Sequence, residues 1–397
     1  MSIEKKLQTI AENEQKVYDA GYDKGYDNGY GDGVDRVEAP FNEVIFIDYD
    51  GTILYSYSLE ETLALPELPP LPEHKGLICQ GWNWTLEEIK EHNRDVTVGA
   101  MYITDDGKTR IYITLKEGRT SPAFGASVKG TVTVDWGDGT EPDTLTGTST
   151  FNAIFTPPHN YASAGKYVIS LTVDGKMAFR GESGDEDSNI LRSSNIKNQT
   201  IDAHYHSTIK KVEIGDGVVV DNYGFKGCVA LESITLPKDT PVRTYSIFAK
   251  NSSLKGIVIP KNNSFLFGLS GCSSLKTAAF PISCKSIWGG FSGCNALASL
   301  TVPNGVESIG HNYISNAFYL AKIIFPSSIT TIASMGFYNC YGMLCFDFTR
   351  CTSVPSLGGA NTFQIAEDCE ILVPSALYDE WIAATNWSNY ADYIVAR

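Results

Sequence analysis

One short motif repeats along residues 205–374, and this repeat limits the possible folds of the chain more than any other feature. Each copy ends in a pattern of the type L-x-x-I-x-I-P, and successive copies lie 21 to 25 residues apart. A unit of this length exposes an apolar face that only a neighbouring unit can cover, so it is stable only in a stack. The repeat therefore predicts a solenoid. The positions that close the motif are Pro237, Pro260, Pro281, Pro303, Pro326, Thr349 and Pro374.

A second position recurs upstream of each closing residue, as F-x-x-C or a close variant. Because a free cysteine is small and apolar, we expect these rings and thiols to stack inside the solenoid. The nine cysteines are an odd number and mostly occur singly, which favours packing over a disulfide framework or a zinc site. The anchor pairs are Phe225 with Cys228, Phe248 with Asn251, Leu269 with Cys272, Phe291 with Cys294, Ile314 with Ala317, and Phe337 with Cys340.

The array resembles the BspA-like subfamily of leucine-rich repeats, which is often found in proteins of anaerobic mucosal bacteria. The resemblance implies a parallel sheet along one face of the solenoid, built from the segments before each closing position. It implies no particular ligand. We place the repeat domain at residues 200–374 and a helical cap at residues 375–397, with Ser375 as the helix cap and Trp381 and Trp387 as lid residues.

Residues 109–180 contain TVTVDWGDGT and, further along, HNYASAGKYVISLTV. These two segments resemble the polycystic-kidney-disease type of immunoglobulin-like domain. The resemblance implies a β-sandwich that acts as a spacer or adhesive module. The alternation of apolar residues agrees with it and predicts that Trp136 lies in the core rather than in a ligand site. Asp138 is expected to form a turn.

Residues 40–108 are expected to form a small α+β module. Two apolar runs flank Asp50 and Gly51, and two more flank Asp105–Gly107, so the sequence predicts two hairpins. Between them Thr85 is expected to cap a helix. The phrases FIDYDGT, GWNWTL and TDDGKTRIY resemble a module of large surface and tail proteins of gut bacteria and their phages.

The segment FIDYDGTIL also resembles the first motif of haloacid-dehalogenase-type phosphatases. That resemblance implies Asp48 as the nucleophile and Asp50 as the acid/base, beside a magnesium ion. The match covers under ten residues, and the following sequence does not alternate helices with parallel strands as such an enzyme requires. We therefore favour a structural hairpin over a hydrolase.

Residues 1–35 begin with apolar positions at spacings typical of a coiled-coil seam and continue into a segment rich in Gly and Tyr. We interpret them as an attachment segment and neck that assemble the chain into a homotrimer. The alternative is a single amphipathic helix packed on its own chain, because isolated helices of this length are marginal in water. The apolar positions of the seam are Ile3, Leu7, Ile10 and Val17.

Composition excludes several other functions. A net charge of −15 without a basic cluster argues against nucleic-acid binding. No run of 18 apolar residues occurs and the amino terminus does not resemble a secretory signal, so neither membrane insertion nor standard secretion is expected. No cofactor motif occurs, and we expect no cofactor. His204 and His206 have a ligand-like spacing and are weak candidates for a metal site on a trimer axis, although an ordinary strand is favoured.

Large aromatic residues at positions outside the repeat consensus are the candidate ligand-binding residues. Aromatic side chains with a polar tip suit both glycans and protein surfaces. The alternative is that they fill gaps between uneven repeats. The candidates are Tyr245, Trp288, Tyr319, Tyr338 and Tyr341.

The fold class expected from these observations is mainly β and multidomain, with an amino-terminal coiled coil, a small α+β module, an immunoglobulin-like sandwich and a capped leucine-rich-repeat solenoid. We expect a non-enzymatic virion protein of a phage, a tail-fibre or receptor-binding protein whose repeats bind a glycan or protein on the host bacterium. Its amino terminus would contact other virion proteins. The first alternative is a bacterial cell-surface or secreted adhesin, and the second is a hydrolase that uses Asp48 and Asp50.

Overall fold

We describe a computed structural model of the chain. It describes residues 43–93, 95–181, 190–192, 205–242, 246–261, 265–284, 286–288, 290–311, 313–317, 320–340, 342–364 and 367–397. The expected coiled coil and neck at residues 1–35 lie outside these ranges. The described residues are mainly β, as expected, and none of their helices has the length and apolar character needed to cross a bilayer.

Residues 43–104 form a four-stranded sheet with two short helices, which we call the side module. The strand order is β2-β1-β4-β3, in which β1 and β4 are parallel and the outer pairs are antiparallel. The elements are β1 (Glu43–Ile47), β2 (Ile53–Ser58), α1 (Leu59–Leu63), β3 (Leu77–Trp82), α2 (Leu86–His92) and β4 (Val96–Thr104).

Local sequence signals explain most of the side module. The hairpin of β1 and β2 is confirmed, and Gly51 adopts the positive φ of +89° that its turn requires. Thr85 caps α2 as expected, because its side chain accepts a hydrogen bond from the Glu88 backbone while the Glu88 carboxylate accepts one in return. Ser58 and Glu61 form the same capping box on α1.

The second predicted hairpin is wrong. Residues Asp105–Gly107 form a turn, but the strands on either side of it belong to different sheets. β4 pairs with β1 and β3, whereas the strand that follows the turn, Thr109–Leu115, pairs with strands from later in the chain. An Asp-Gly turn favours a hairpin only locally, and both strands here find partners that bury them on two sides.

Residues 109–192 contribute a second set of antiparallel strands in the order β5-β8-β6-β7, with β9 beside β6. Trp136 is fully buried, which confirms it as a core residue. Its indole donates a hydrogen bond to Asp143, its carbonyl accepts one from the Tyr161 hydroxyl, and His159 stacks on its ring at 4.6 Å. The strands are β5 (Thr109–Leu115), β6 (Ala123–Asp135), β7 (Asp143–Phe155), β8 (Gly165–Phe179) and β9 (Leu191–Arg192).

The repeats form a β-solenoid of about seven turns, as predicted. Its strands and helix are β10 (Ile209–Glu213), β11 (Val218–Val220), β12 (Ser233–Thr235), β13 (Gly256–Val258), β14 (Phe265–Phe267), β15 (Thr277–Ala279), β16 (Ser286–Trp288), β17 (Ser299–Thr301), β18 (Ser308–Ile309), β19 (Ile314–Ser315), β20 (Lys322–Ile324), β21 (Thr331–Ile332), β22 (Phe337–Tyr338), β23 (Cys345–Asp347), β24 (Ser356–Leu357), β25 (Glu370–Val373), α3 (Tyr378–Ala383) and β26 (Ile394–Ala396).

Three faces of the solenoid carry parallel strands. We call the face with β12, β13, β15, β17, β20, β23 and β25 the proline face, because each strand leads to a closing position. Its expected register is confirmed, for instance by the pairing of Leu300 with Ile323. We call the face with β19 and β22, which contains the F-x-x-C anchors, the cysteine face. The third face holds β14, β16, β18, β21 and β24, and the sequence did not predict its strands.

Rings and thiols form ladders inside the solenoid, as expected. The rings of Phe225 and Phe248 stack at 5.8 Å. Further along, the ladder runs from Phe291 through Tyr313 to Phe337, so Tyr313 rather than its neighbour Ile314 supplies the ring of that turn. All nine cysteines are free, and burial raises the pKa of the Cys294 thiol to about 12, as suits a packing role.

The solenoid and residues 109–192 share one core. Val212 of β10 pairs with Ile111 of β5 on one side and with Ile234 of β12 on the other. One cluster of buried residues therefore continues from Ile111 to Ile394. The first turn of the solenoid is covered by this junction, so it needs no separate cap.

The carboxyl-terminal cap is partly as predicted. Trp381 and Trp387 are fully buried against the ring of Phe348, which confirms them as lid residues. Ser375 is not the helix cap: it lies in the 3-10 turn Ser375–Leu377, and α3 begins after Leu377 without a side-chain cap. The last strand, β26, extends the proline face by pairing with β25.

A first prediction tests the inward and outward positions. Phe291→Ala should lower the free energy of unfolding by about 3–5 kcal/mol, because it removes a fully buried ring. Lys276→Ala, at an exposed position, should change it by at most about 0.5 kcal/mol. Denaturant unfolding of both variants measures this, and equal shifts would contradict the assignment.

A second prediction concerns Asn251, which holds the place of a cysteine in the ladder. Its side chain is fully buried, and neither polar atom has a hydrogen-bond partner among the described residues. A buried amide without partners costs about 1–3 kcal/mol. Asn251→Cys should therefore stabilise the protein by about 1 kcal/mol in denaturant unfolding. Asn251→Asp is the matched control and should destabilise it, since it buries a charge; a stabilising Asp or a destabilising Cys would contradict the argument.

Candidate functional site

The side module lies on the proline face of the solenoid, and this contact decides which surfaces stay open to a ligand. Ile47 of β1 and Met101 of β4 pack on Val258 and Ala279 of the repeats, and all four are buried. The opposite face of the same sheet packs on the module's own core, around Phe46 and the two tryptophans. The central strands β1 and β4 of this sheet are thus buried on both sides, whereas β2 and β3 at its edges are partly exposed.

Close backbone approaches and polar contacts fix this interface. A methyl group on Gly99 would overlap the methyl carbons of Val258 and Cβ of Ala279, so this close approach requires glycine. The buried Asn83 side chain donates to the carbonyls of Ile259 and Ala279 and accepts from the Gly99 backbone. The Trp84 indole donates to the Phe280 carbonyl at 2.6 Å.

The interface extends over several repeats. At one end the Gln80 side chain accepts a hydrogen bond from the Lys238 backbone. In the middle, the Lys261 ammonium lies 2.7 Å from the Glu88 carboxylate. At the far end, Arg350 donates to the carbonyls of His92 and Asn93. The side module therefore contacts the proline face at several points between Lys238 and Arg350 and lies over β12, β13 and β15, which leaves less of this face open to a ligand.

The structure places the candidate aromatic residues unevenly. Tyr338 lies on the cysteine face in β22 with 37% of its surface exposed, one of the few large apolar residues so exposed in the described ranges. Trp288 lies in β16 on the third face. Tyr245, Tyr319 and Tyr341 lie outside the described residues, so whether the five residues form one surface stays a prediction.

Polar side chains of neighbouring turns surround Tyr338. Ser315 is its register partner, and the Ser315 hydroxyl lies 2.8 Å from that of Ser292 on the preceding turn. One residue further along each turn, the Asn339 amide donates to Asn316 Oδ1 at 3.0 Å. Both asparagines have a φ of 56°. A surface made of an aromatic ring, hydroxyls and amides is chemically suited to binding. The residues named here do not combine a nucleophile with a base.

His206 does not lie in the expected strand. His206 lies in the 3-10 turn Tyr205–Thr208 and is buried, while His204 lies outside the described residues. Within the described ranges no three His, Cys, Asp or Glu side chains come close enough together to hold a metal ion.

The carboxylates of the DYDGT segment are engaged in local structure. Asp48 is buried: one oxygen accepts from the Tyr49 backbone, and the other lies 2.7 Å from His74 Nε2. Burial and the Asp48 carboxylate raise the pKa of the nearby Tyr102 well above its usual value. Asp50 accepts from the Thr52 backbone within the turn. Both carboxylates thus bond within the turn or to a neighbouring side chain, which favours the structural interpretation of this motif.

A third prediction follows for this segment. Asp48→Asn should leave any background hydrolysis of p-nitrophenyl phosphate unchanged, with or without magnesium, because Asp48 serves to hold the His74 side chain. Release of p-nitrophenol measures the reaction. Magnesium-dependent turnover that disappears in Asp48→Asn would contradict this and restore the hydrolase alternative.

Residues 195–290 and 218–344 match the family model described as BspA type Leucine rich repeat region, in six copies. The repeats are thus leucine-rich repeats of the BspA type, as the sequence resemblance implied. No curated protein matches the chain.

Solved structures of other repeat proteins are also similar. The pneumococcal vaccine antigen PcpA is 19% identical, covering 41% of this chain and 40% of that one, with a TM-score of 0.34. The T. pallidum leucine rich repeat protein is 20% identical over 44% of this chain and 82% of its own, with a TM-score of 0.29. A leucine rich cell surface protein from Faecalibacterium prausnitzii A2-165 is 19% identical over 41% of this chain and 44% of its own, with a TM-score of 0.28. The chain thus spans less than half the length of the first of these.

Proposed function

We propose that the protein is a non-enzymatic, adhesin-like binding protein that uses the open faces of its solenoid to attach to a cell surface. The observation that carries this proposal is the exposed Tyr338 on the cysteine face, beside hydroxyl and amide side chains, while part of the proline face is covered by the side module. The BspA-type repeats support a binding role, because a solenoid offers a large, rigid surface whose outward residues can vary freely.

We place the protein at a bacterial cell surface, which was the first alternative in the sequence analysis. The repeat type supports this location, and nothing in the comparisons favours a virion. The phage interpretation depends on residues 1–35 as an assembly segment, which lie outside the described residues. It stays a second proposal, as do the contacts with virion proteins and the assignment of residues 109–180 to the immunoglobulin-like type.

A fourth prediction tests attachment. Full-length protein carrying Trp288→Ala and Tyr338→Ala should bind cells about tenfold more weakly, a loss of about 1.4 kcal/mol, with a nearly unchanged melting temperature. Flow cytometry of labelled protein on a panel of gut bacterial and epithelial cells measures this. The full chain is required because the repeats share their core with residues 109–192. Lys276→Ala is the control, and equal binding by a folded double variant would remove these two residues from the site.

A fifth prediction concerns assembly. If residues 1–35 form a coiled-coil seam, the full chain should be a trimer, whereas a chain that starts at Val34 should be a monomer. Light scattering with size-exclusion chromatography measures both masses. Equal monomeric masses would contradict the trimer and leave the single docked helix as the interpretation of this segment.

A further inference from the structure

We infer that the surface around Tyr338 is a subsite for neutral carbohydrate. The subsite consists of Tyr338, Ser292 and Ser315, and Asn316 and Asn339. The inference rests on the proposed function, because it names the ligand class of the same face. It selects one of the two classes, glycan or protein, that the aromatic residues alone leave open.

The backbone of the solenoid builds this surface from adjacent turns. β19 and β22 pair in parallel, so Ser315 and Tyr338 share the side of the sheet opposite to Ile314 and Phe337, which point into the core. Ser315 is only 8% exposed, so it supports the surface from below while Tyr338 supplies the accessible area. The residue after each outward position adopts a left-handed conformation, at Asn316 and Asn339. Asparagine is one of the few residues other than glycine that readily adopt the left-handed conformation. Asn316 and Asn339 can therefore occupy the position that Gly293 occupies on the preceding turn, and they add an amide side chain there.

The arrangement matches the two kinds of surface that a sugar presents. The C–H face of a pyranose packs on an aromatic ring, and 37% of Tyr338 is exposed for such a contact. The hydroxyls at the edge of a sugar both donate and accept, as do the serine hydroxyls and asparagine amides beside the ring. The two serine hydroxyls bond to each other at 2.8 Å, and the Asn339 amide donates to Asn316 Oδ1 at 3.0 Å, so both pairs are held in a fixed pattern before a ligand arrives.

A further acceptor lies next to Tyr338. Phe363 forms a parallel bridge with Phe337, so Gln364 follows on the same side as Tyr338. The Gln364 backbone N–H donates to the Phe337 carbonyl at 3.0 Å. The Gln364 Oε1 atom is buried and has no hydrogen-bond partner among the described residues. Such an acceptor is costly to leave unpaired, which makes Gln364 the one residue beside the subsite with unused hydrogen-bonding capacity among those described.

The absence of charge in this subsite separates a neutral sugar from other ligands. None of its five residues is charged, so it lacks the cations that an acidic polysaccharide or a phosphorylated ligand requires. A protein partner would need a larger apolar centre, since hot spots of protein interfaces lie in buried clusters of apolar and aromatic groups. A single ring in a polar surround fits one or two sugar units.

Biolayer interferometry with the full chain on immobilised polysaccharides tests the inference. The neutral probes are dextran, yeast mannan and arabinogalactan, and the controls are heparin and serum albumin. We expect binding to at least one neutral probe, a loss of about tenfold in Tyr338→Ala, and binding within about threefold of the parent in Tyr338→Phe, which keeps the ring. A double variant, Asn316→Gly with Asn339→Gly, removes both amides but tolerates the left-handed backbone, and it should lose about tenfold.

Phe151→Ala removes an exposed ring elsewhere in the molecule and should bind as the parent does. Binding to no neutral probe, binding to heparin or albumin alone, or folded Tyr338→Ala and double-glycine variants that bind normally would each overturn the inference. If the parent protein still attaches to cells in those cases, the proposed function stands without the sugar subsite. If the parent protein attaches to no cells either, both the proposed adhesin-like function and the sugar subsite are contradicted.

Discussion

The stability of this protein depends on covering apolar faces that no single repeat can bury alone. Each turn of the solenoid contributes one large apolar side chain, usually a ring, and one small side chain to the internal ladders, and it is complete only when a neighbour lies on both sides. At the first turn, β10 pairs with β5 and continues the core into residues 109–192. At the last turn, Trp381 and Trp387 close the stack over Phe348. Both ends of the array are therefore sealed within the described residues.

The period and the inward residues of the array could be predicted from the sequence, because stacking imposes the same requirement on every turn. Phe291 and Cys294 repeat their types and are buried as expected. The inward residues of the less regular turns were harder to predict from the sequence. The anchor position of one turn holds Ile314, and only the structure shows that Tyr313 supplies its ring. The left-handed position just before the last residue of each F-x-x-C anchor was a missed signal: it holds only Gly, Asn or Lys, for example Gly271 and Asn339.

The docking of the side module was not predicted, although its strands carry a signal for it. The segment VTVGAMYIT in β4 is almost continuously apolar rather than alternating, which is typical of a strand buried on both faces. Gly99 in that run is explained by the close approach of Val258. The candidate site was predicted only in part, since residue types indicated Tyr338, whereas its register with Ser315 depends on how the turns stack. Long-range contacts of this kind leave no fixed spacing in the chain.

The contacts of the side module also set a fixed length for the part of the array beneath it. An unattached solenoid can gain or lose a repeat, because each new turn meets the same kind of neighbour. Here Gln80 and Asn93 bind turns that lie far apart along the stack, at Lys238 and Arg350. One turn inserted between those points would displace one anchor from the other by about the 4.8 Å spacing of adjacent strands, which the short α2 and its loops could not follow. The side module thus fixes the number of turns between its two anchor points. Variation in repeat number between related chains should therefore be confined to turns outside that span.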